Sequence, residues 1–432
     1  MHSKKQFFQN AFPVSMLFLC CSQVCANQIN GSLSATSLFS DNTLKQAQNP
    51  IDERQDLYQL AVVADYSNWL LDADVNYQLV AQKYAEGSQD DEEYADGSSS
   101  VTFGKAEDLL ALELSHSRRM LLSTPDAIDL TGNQEARDII SARPEIRIKL
   151  SEADKLLLSG QSERVSFPDN GQQDSKRNGA SLGWLHLLSP TSTLQLSVNQ
   201  QDIKFDNYAL SDYSLVSSML AYAVELRKLK YSLAVGYNEN KSEGNESKSA
   251  PSYKISAAYV AGYNQIDLSA SRLLTDTSYG DGNMENTFVL PDSDGFSMDL
   301  DRIDRRSVEL NWHTNVICSR CALSVGVVAV EDKYLEKDEE SLSVNSNVSF
   351  AYALSTTANV SLSMARSDVD FENQLVAQDY RLDSISLNYA YYFSNGLNVT
   401  VGGRREDRET STLDEAGTYT ENVYSVSLAY GF

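Results

Sequence analysis

The sequence predicts an all-β fold: a transmembrane, antiparallel, up-and-down β-barrel of about 18 strands, or about 16 if the stretch before Trp69 adds none. Three observations predict it. Segments of about ten residues alternate apolar and polar side chains, the period of a strand whose two faces meet different surroundings. Short polar turns and longer acidic loops separate these segments in strict rotation, as the two unlike ends of such a barrel require. Aromatic residues gather at segment ends (Tyr352, Tyr391, Phe393, Tyr430 and Phe432), where a membrane interface would place them. A soluble sandwich would share the alternation but not this rotation of short and long connections.

In chain order, residues 1–26 read as a secretory signal peptide. Lys4 and Lys5 supply its charged region, residues 11–21 the apolar one, and Val24-Cys25-Ala26 the small residues before a cut at Asn27. Cys20, Cys21 and Cys25 raise a lipoprotein signal as the rival, but none follows a Leu and then small residues at the required spacing. Residues 27–56 are rich in Gln, Asn and Ser without a period, so they read as a mobile periplasmic N-terminal arm. Residues 57–432 read as the barrel, with 57–66 an extra strand or a lead-in.

Alternation is clearest in the second half of the chain. Ile385, Leu387, Tyr389 and Tyr391 share one face, and Ser384, Ser386 and Asn388 the other. The same rhythm appears in Leu110, Leu112 and Leu114, in Ile146 and Ile148, and in Leu233, Val235 and Tyr237. It returns in Ile266 and Leu268, and in Val308, Leu310 and Trp312. Short turns at 151–154, 190–192, 355–357 and 394–396 are expected on the periplasmic side. Long loops at 86–97, 121–142, 239–250, 276–304, 374–378 and 409–417 are expected outside. In the last strand Tyr424, Val426, Leu428, Tyr430 and Phe432 face one way, and Ser425, Ser427, Ala429 and Gly431 the other. This strand resembles the C-terminal signal recognised by the outer-membrane barrel assembly machinery. The resemblance implies location in the bacterial outer membrane, among its lipid and lipopolysaccharide.

Composition narrows the classes. With 8 Pro and 21 Gly in 432 residues, neither collagen-like sequence nor Pro-rich disorder fits. A mean hydropathy of −0.36 is compatible with a barrel, because every second residue faces water. Nothing after residue 30 is apolar for long enough to make a membrane helix. The net charge of −25 becomes −27 once Lys4 and Lys5 leave with the signal, which argues against nucleic-acid partners. Three of five cysteines leave too, and Cys318-Ser319-Arg320-Cys321 remains. An oxidising compartment suits a disulfide across that turn. One pair falls short of a zinc site, and no metal or cofactor is expected.

For chemistry, Glu113, Glu145, Arg147 and Lys149 take the inward phase and are the expected lumen charges, either selecting solutes or pairing with each other. A passive pore or export-associated channel is therefore the leading expectation. A non-transporting adhesive barrel is the alternative, its acidic loops at 88–93 and 336–340 offering oxygen ligands without an EF-hand spacing. An outer-membrane lipid hydrolase would need Ser and His within reach on the lipid face. His116 shares the outward phase, but Ser115 and Ser117 point the other way; His186 shows no partner and His313 shares the inward phase of Glu309 and Asn311, so no enzyme is expected.

Two stretches carry a narrower likeness. Asp65-Tyr66-Ser67-Asn68-Trp69-Leu70-Leu71-Asp72-Ala73-Asp74-Val75-Asn76-Tyr77 is one, and Leu114-Ser115-His116-Ser117-Arg118-Arg119-Met120-Leu121-Leu122 the other. With the strand rhythm, they resemble outer-membrane β-barrel proteins associated with PEP-CTERM/exosortase systems near exopolysaccharide clusters. That resemblance implies partners among polysaccharide or surface-protein export components, and no catalytic residues.

Overall fold

The computed structural model describes residues 28–432 except 106, 124–125, 169–170, 172, 208–210, 243–246, 280–294, 297–300, 337–338, 373–378 and 412–416. The expected signal peptide lies outside the described residues. The wall begins with β1 (Gln28–Ser40), β2 (Glu53–Ser67), β3 (Leu71–Tyr84), β4 (Glu92–Phe103), β5 (Leu110–Leu122), β6 (Gln134–Lys149) and β7 (Asp154–Ser166). It continues through β8 (Ser175–Ser189), β9 (Ser192–Phe205), β10 (Tyr213–Glu225), β11 (Leu229–Ser242), β12 (Lys248–Ala261) and β13 (Asn264–Asp276). After a two-residue bridge, β14 (Gly295–Phe296), come β15 (Arg302–Thr314), β16 (Cys321–Tyr334), β17 (Glu340–Ala353) and β18 (Ala358–Glu372). The wall ends with β19 (Tyr380–Tyr392), β20 (Leu397–Thr410) and β21 (Tyr419–Gly431).

Each wall strand pairs antiparallel with its chain neighbours, β13 reaches past β14 to β15, and β21 closes on β1 from Ser32↔Gly431 to Ser40↔Val423. Of the 21 strands among the described residues, β14 stands aside from the wall, leaving a closed barrel of 20. Closure satisfies every strand edge, which an open sheet of this length would leave bare.

Two expectations need correcting. The strand count is 20 rather than about 18. Residues 28–40 are no mobile periplasmic arm: they form β1, the strand that completes the ring, and residues 53–56 already belong to β2. Its outward set of Ile29, Gly31, Leu33, Ala35, Ser37 and Phe39 mixes large with small residues, so the period is weak. β4 and β6 also begin inside the expected loops, at residues 92 and 134 rather than beyond 97 and 142. The upper outward positions of β4 hold Glu93, Ala95 and Gly97, and in β6 Asp138 interrupts Ala136 and Ile140, so neither marks a continuous apolar face.

The two ends differ as the sequence predicts. One carries short connections at 150–153, 190–191, 226–228 and 262–263; the other carries 41–52, 123–133 and 277–301. Gly262 and Gly396 adopt φ of 60° and 86° in tight turns, a region costly for residues with a Cβ. At the short-turn end a disulfide joins Cys318 and Cys321, with Cα atoms 5.1 Å apart.

Side-chain alternation gives the barrel an apolar outside and a polar inside. Tyr424, Val426, Leu428 and Tyr430 project outward and are 45–66 % exposed. Among the described residues the buried apolar clusters sit at the long-loop end, not at mid-height. Leu121, Ile139, Val165 and Phe167 pack against Tyr279, and Ile203, Phe205 and Tyr213 form a second group. The core is therefore a collar at the mouth.

Candidate functional site

The site is the lumen, and its wall has two unlike arcs. In the arc from β3 to β8 the inward residues include Asp74, Glu113, Arg143, Glu145, Glu163 and Arg177. In the arc from β16 to β20 the mid-height inward residues include Ser324, Gly326, Val328, Asn347, Ser363, Ser386, Asn388 and Gly402, with Arg404 the charged exception opposite Ser386. Hydroxyl pairs stitch both arcs: Ser115 with Ser141 at 2.7 Å, Ser159 with Ser181 at 2.5 Å, and Ser363 with Ser386 at 2.6 Å. Such cross-strand pairs satisfy small polar groups without filling the bore.

The expected lumen charges are inward and each has a close partner. Glu113 lies opposite Arg143, 3.9 Å away. Arg147 pairs with Glu145 on its own strand and donates to the Lys105 carbonyl at 2.6 Å. Lys149 reaches Glu152 in the adjoining turn at 2.7 Å, and that hydrogen bond holds the Glu152 carboxyl below its ordinary pKa. Glu113 and Arg143 line a cavity of 540 Å³ with Asp74, Arg177, Lys254 and Tyr279. A second cavity, of 460 Å³, opens toward the short-turn end beside Glu225, Lys230, Asp267, Glu309 and Asn311.

Sequence reasoning missed the ionic centre at the mouth. Arg177, 1 % exposed, donates to Asp276 at 2.8 Å and to the Ser278 hydroxyl at 2.5 Å. Tyr213 donates to the same carboxylate, and Tyr279 lies over the guanidinium with its hydroxyl on Glu163. Burial raises the Tyr279 hydroxyl above its ordinary pKa; Arg177 opposes this and Glu163 adds to it. These groups turn the chain after β13 inward, and β14 then pairs in parallel with Leu121 and Leu122 of β5. No sequence signal joins residues 99 positions apart.

Other loops also fold over the opening. Lys45 inserts between Glu406 (3.1 Å) and the Tyr419 ring. Arg408 donates to the Asp126 carbonyl at 2.6 Å, from the far side of the mouth. The three histidines among the described residues are partnered: His186 with Asp154 at 2.8 Å, His313 with Ser324 at 2.8 Å, and His116 with Tyr77. Among the described residues no group of three metal-ligating side chains converges.

No protein-family model matches the sequence, and no curated protein matches it. Solved structures similar to this chain include Pseudomonas aeruginosa OpdO, at 12% identity and a TM-score of 0.39, covering 94% of this chain and 98% of that one. Pseudomonas aeruginosa OpdQ gives 12% and 0.38 over 94% and 98%. Acinetobacter baumannii OccAB4 gives 11% and 0.37 over 94% and 99%. Values this low carry neither family nor function over to this chain.

Proposed function

We propose that this protein is a passive outer-membrane pore for small hydrophilic solutes, exported by a cleaved signal peptide. The carrying observation is the closed ring of 20 strands, whose outward side chains are apolar and whose inward side chains are Ser, Asn, Gln and paired charges. Soluble proteins rarely leave so much contiguous apolar surface uncovered, and a belt of this kind suits lipid. A ring of this size is wide enough for an aqueous channel, which the loops at the mouth narrow. The termini and short turns face the periplasm in this reading, and the outward set from Tyr424 to Phe432 serves as the assembly signal. No catalytic step is assigned.

The hydroxyl and amide lining of the β16–β20 arc also suits sugars, and this supports a finer reading in which the solute is an oligosaccharide. The likeness to PEP-CTERM/exosortase-associated barrels points the same way. The loops knitted across the mouth disfavour passage of a thick polymer. Planar-bilayer conductance of refolded protein tests the pore: stepwise currents are expected, and a silent bilayer would leave a scaffold or adhesin. Concentration-dependent block by neutral oligosaccharides would support the sugar reading, and its absence would remove it.

A further inference from the structure

Part of the outer face passes directly from charge to hydrocarbon. On β18 and β19 the outward pair Arg366–Asp383, at 2.6 Å, is followed in the next outward positions by Met364 and Ile385. β7 to β9 differ. Their outward residues form rows set by the strand register, and the highest row shared by all three strands is Arg164, Lys176 and Lys204, three cations abreast, with Asp174 and Asp206 just above them. Beneath it lie Ser162, Asn178 and Asp202, then Gly160, Ala180 and Gln200, and then Leu158, Leu182 and Val198. The surface therefore grades from cations through hydrogen-bonding groups and small residues to hydrocarbon, over about 20 Å of strand.

The upper rows open into a groove of 560 Å³ lined by Leu114, Ile140, Ala142, Ser162, Lys176 and Asn178. Ser162 donates to Asn178 at 2.9 Å across its floor, and Ile140, 58 % exposed, forms one rim. Arg164 and Lys176 share Asp206 at 2.7 and 3.5 Å, and Arg164 also meets Asp174 at 3.1 Å. Lys176 and Lys204 are direct cross-strand neighbours, an unfavourable opposition that Asp206 relieves only on the Lys176 side. Lys204 has no ion pair among the described residues, although Asp202 lies two positions away on its own strand. The far side is closed by Tyr77, which lies across Gly97 and bonds to His116, itself 3.6 Å from Asp138.

We propose that this groove is a binding site for the phosphorylated acyl-sugar anchor of lipopolysaccharide. Phosphate meets the cation row, ester or amide groups meet Ser162 and Asn178, and an acyl chain runs down past Leu158 and Leu182. The row spans three strands, about 10 Å, which suits a broad headgroup with more than one phosphate better than a single glycerophosphate. The proposal rests on the outer-membrane placement above.

The test is native mass spectrometry of the full chain, refolded and titrated with lipid A, phosphatidylglycerol or diacylglycerol. Insertion into vesicles, followed by heat-dependent gel mobility, separately tests the placement. Lipid A is expected to be retained over both others. A Lys176→Gln/Lys204→Gln double variant should weaken that retention about tenfold or more, given the contribution of each basic side chain to anionic-lipid binding. Asn178→Leu, which fills the floor with a belt-compatible side chain, should weaken it as well, while Arg366→Gln on another arc should not. Equal retention of phosphatidylglycerol would overturn the assignment of the lipid. Inserted protein that holds no lipid A, or variants that hold as much as wild type, would overturn the site. A protein oligomer that the double variant dissolves would give the groove to a second copy instead.

Discussion

The lumen arcs from β3 to β8 and from β16 to β20 are built on one backbone plan but hold themselves together differently. Both alternate large apolar outward residues with small polar inward ones. Both carry buried ions at their upper inward positions, but in the first these clamp the chain leaving β13, while the second is mostly neutral at mid-height, Arg404 excepted. The difference shows that the outward face is constrained by one solvent all round, whereas the inward face is free to specialise.

The largest way to break the contrast is to remove the clamp. Arg177→Met keeps the volume but leaves Asp276 buried without its guanidinium, which costs about 3–5 kcal/mol. Denaturant unfolding should show that loss, and single-channel traces should become noisier as the chain near Tyr279 leaves the wall. An unchanged trace would mean that the clamp does not hold the constriction.

In the neutral arc the corresponding weakness is steric. A Cβ on Gly326 would run into the Asn347 amide, with the Asn311 amide 2.7 Å away. Gly326→Ala should cost about 1–3 kcal/mol through displaced neighbours, with little change in ion selectivity. A large selectivity change with intact stability would show this arc to be electrically active after all.

The clamp also carries a pH dependence. The Tyr279 hydroxyl, raised by burial, stays protonated while docked. An undocked tyrosine ionises near pH 10, so docking is fully supported below that value and is lost as pH rises above it. Channel current should therefore change between about pH 9 and 11, and Tyr279→Phe should flatten that change. An identical alkaline response in Tyr279→Phe would assign it to other groups.

The outward face was legible in the sequence because lipid contact repeats one demand on every strand, as in Leu233, Val235 and Tyr237. β1 and β4 escaped because Gly31, Ala35, Gly97 and Ser99 sit where that demand is relaxed and neighbouring aromatics cover the gap, Phe432 over Gly31 and Tyr77 over Gly97. The inward charges Glu113, Glu145, Arg147 and Lys149 could be placed on a face by phase alone. Their partners could not, because pairing across strands depends on register. The Arg177 centre was invisible for a stronger reason: it joins β8, β10 and the end of β13, and no local period reports on side chains that meet across a lumen.

The finest comparison sets one ion pair against one hydroxyl pair at similar height. Glu113 and Arg143 are 3.9 Å apart and partly exposed to the lumen, so Glu113→Gln should alter stability by about 1 kcal/mol or less. It removes one negative charge from the lumen wall beside Arg143, and the reversal potential under a salt gradient should move toward anions. Ser363→Ala, which breaks the bond to Ser386, should cost a similar amount because one hydrogen bond is worth about 1 kcal/mol. It adds no charge, so the reversal potential should stay where it is. Equal stability losses with unequal selectivity would show that the two arcs share a structural role and that only one sets which ions pass. If both variants shift selectivity alike, the field comes from the mouth, and Arg404 beside Glu406 and Glu421 becomes the next group to neutralise.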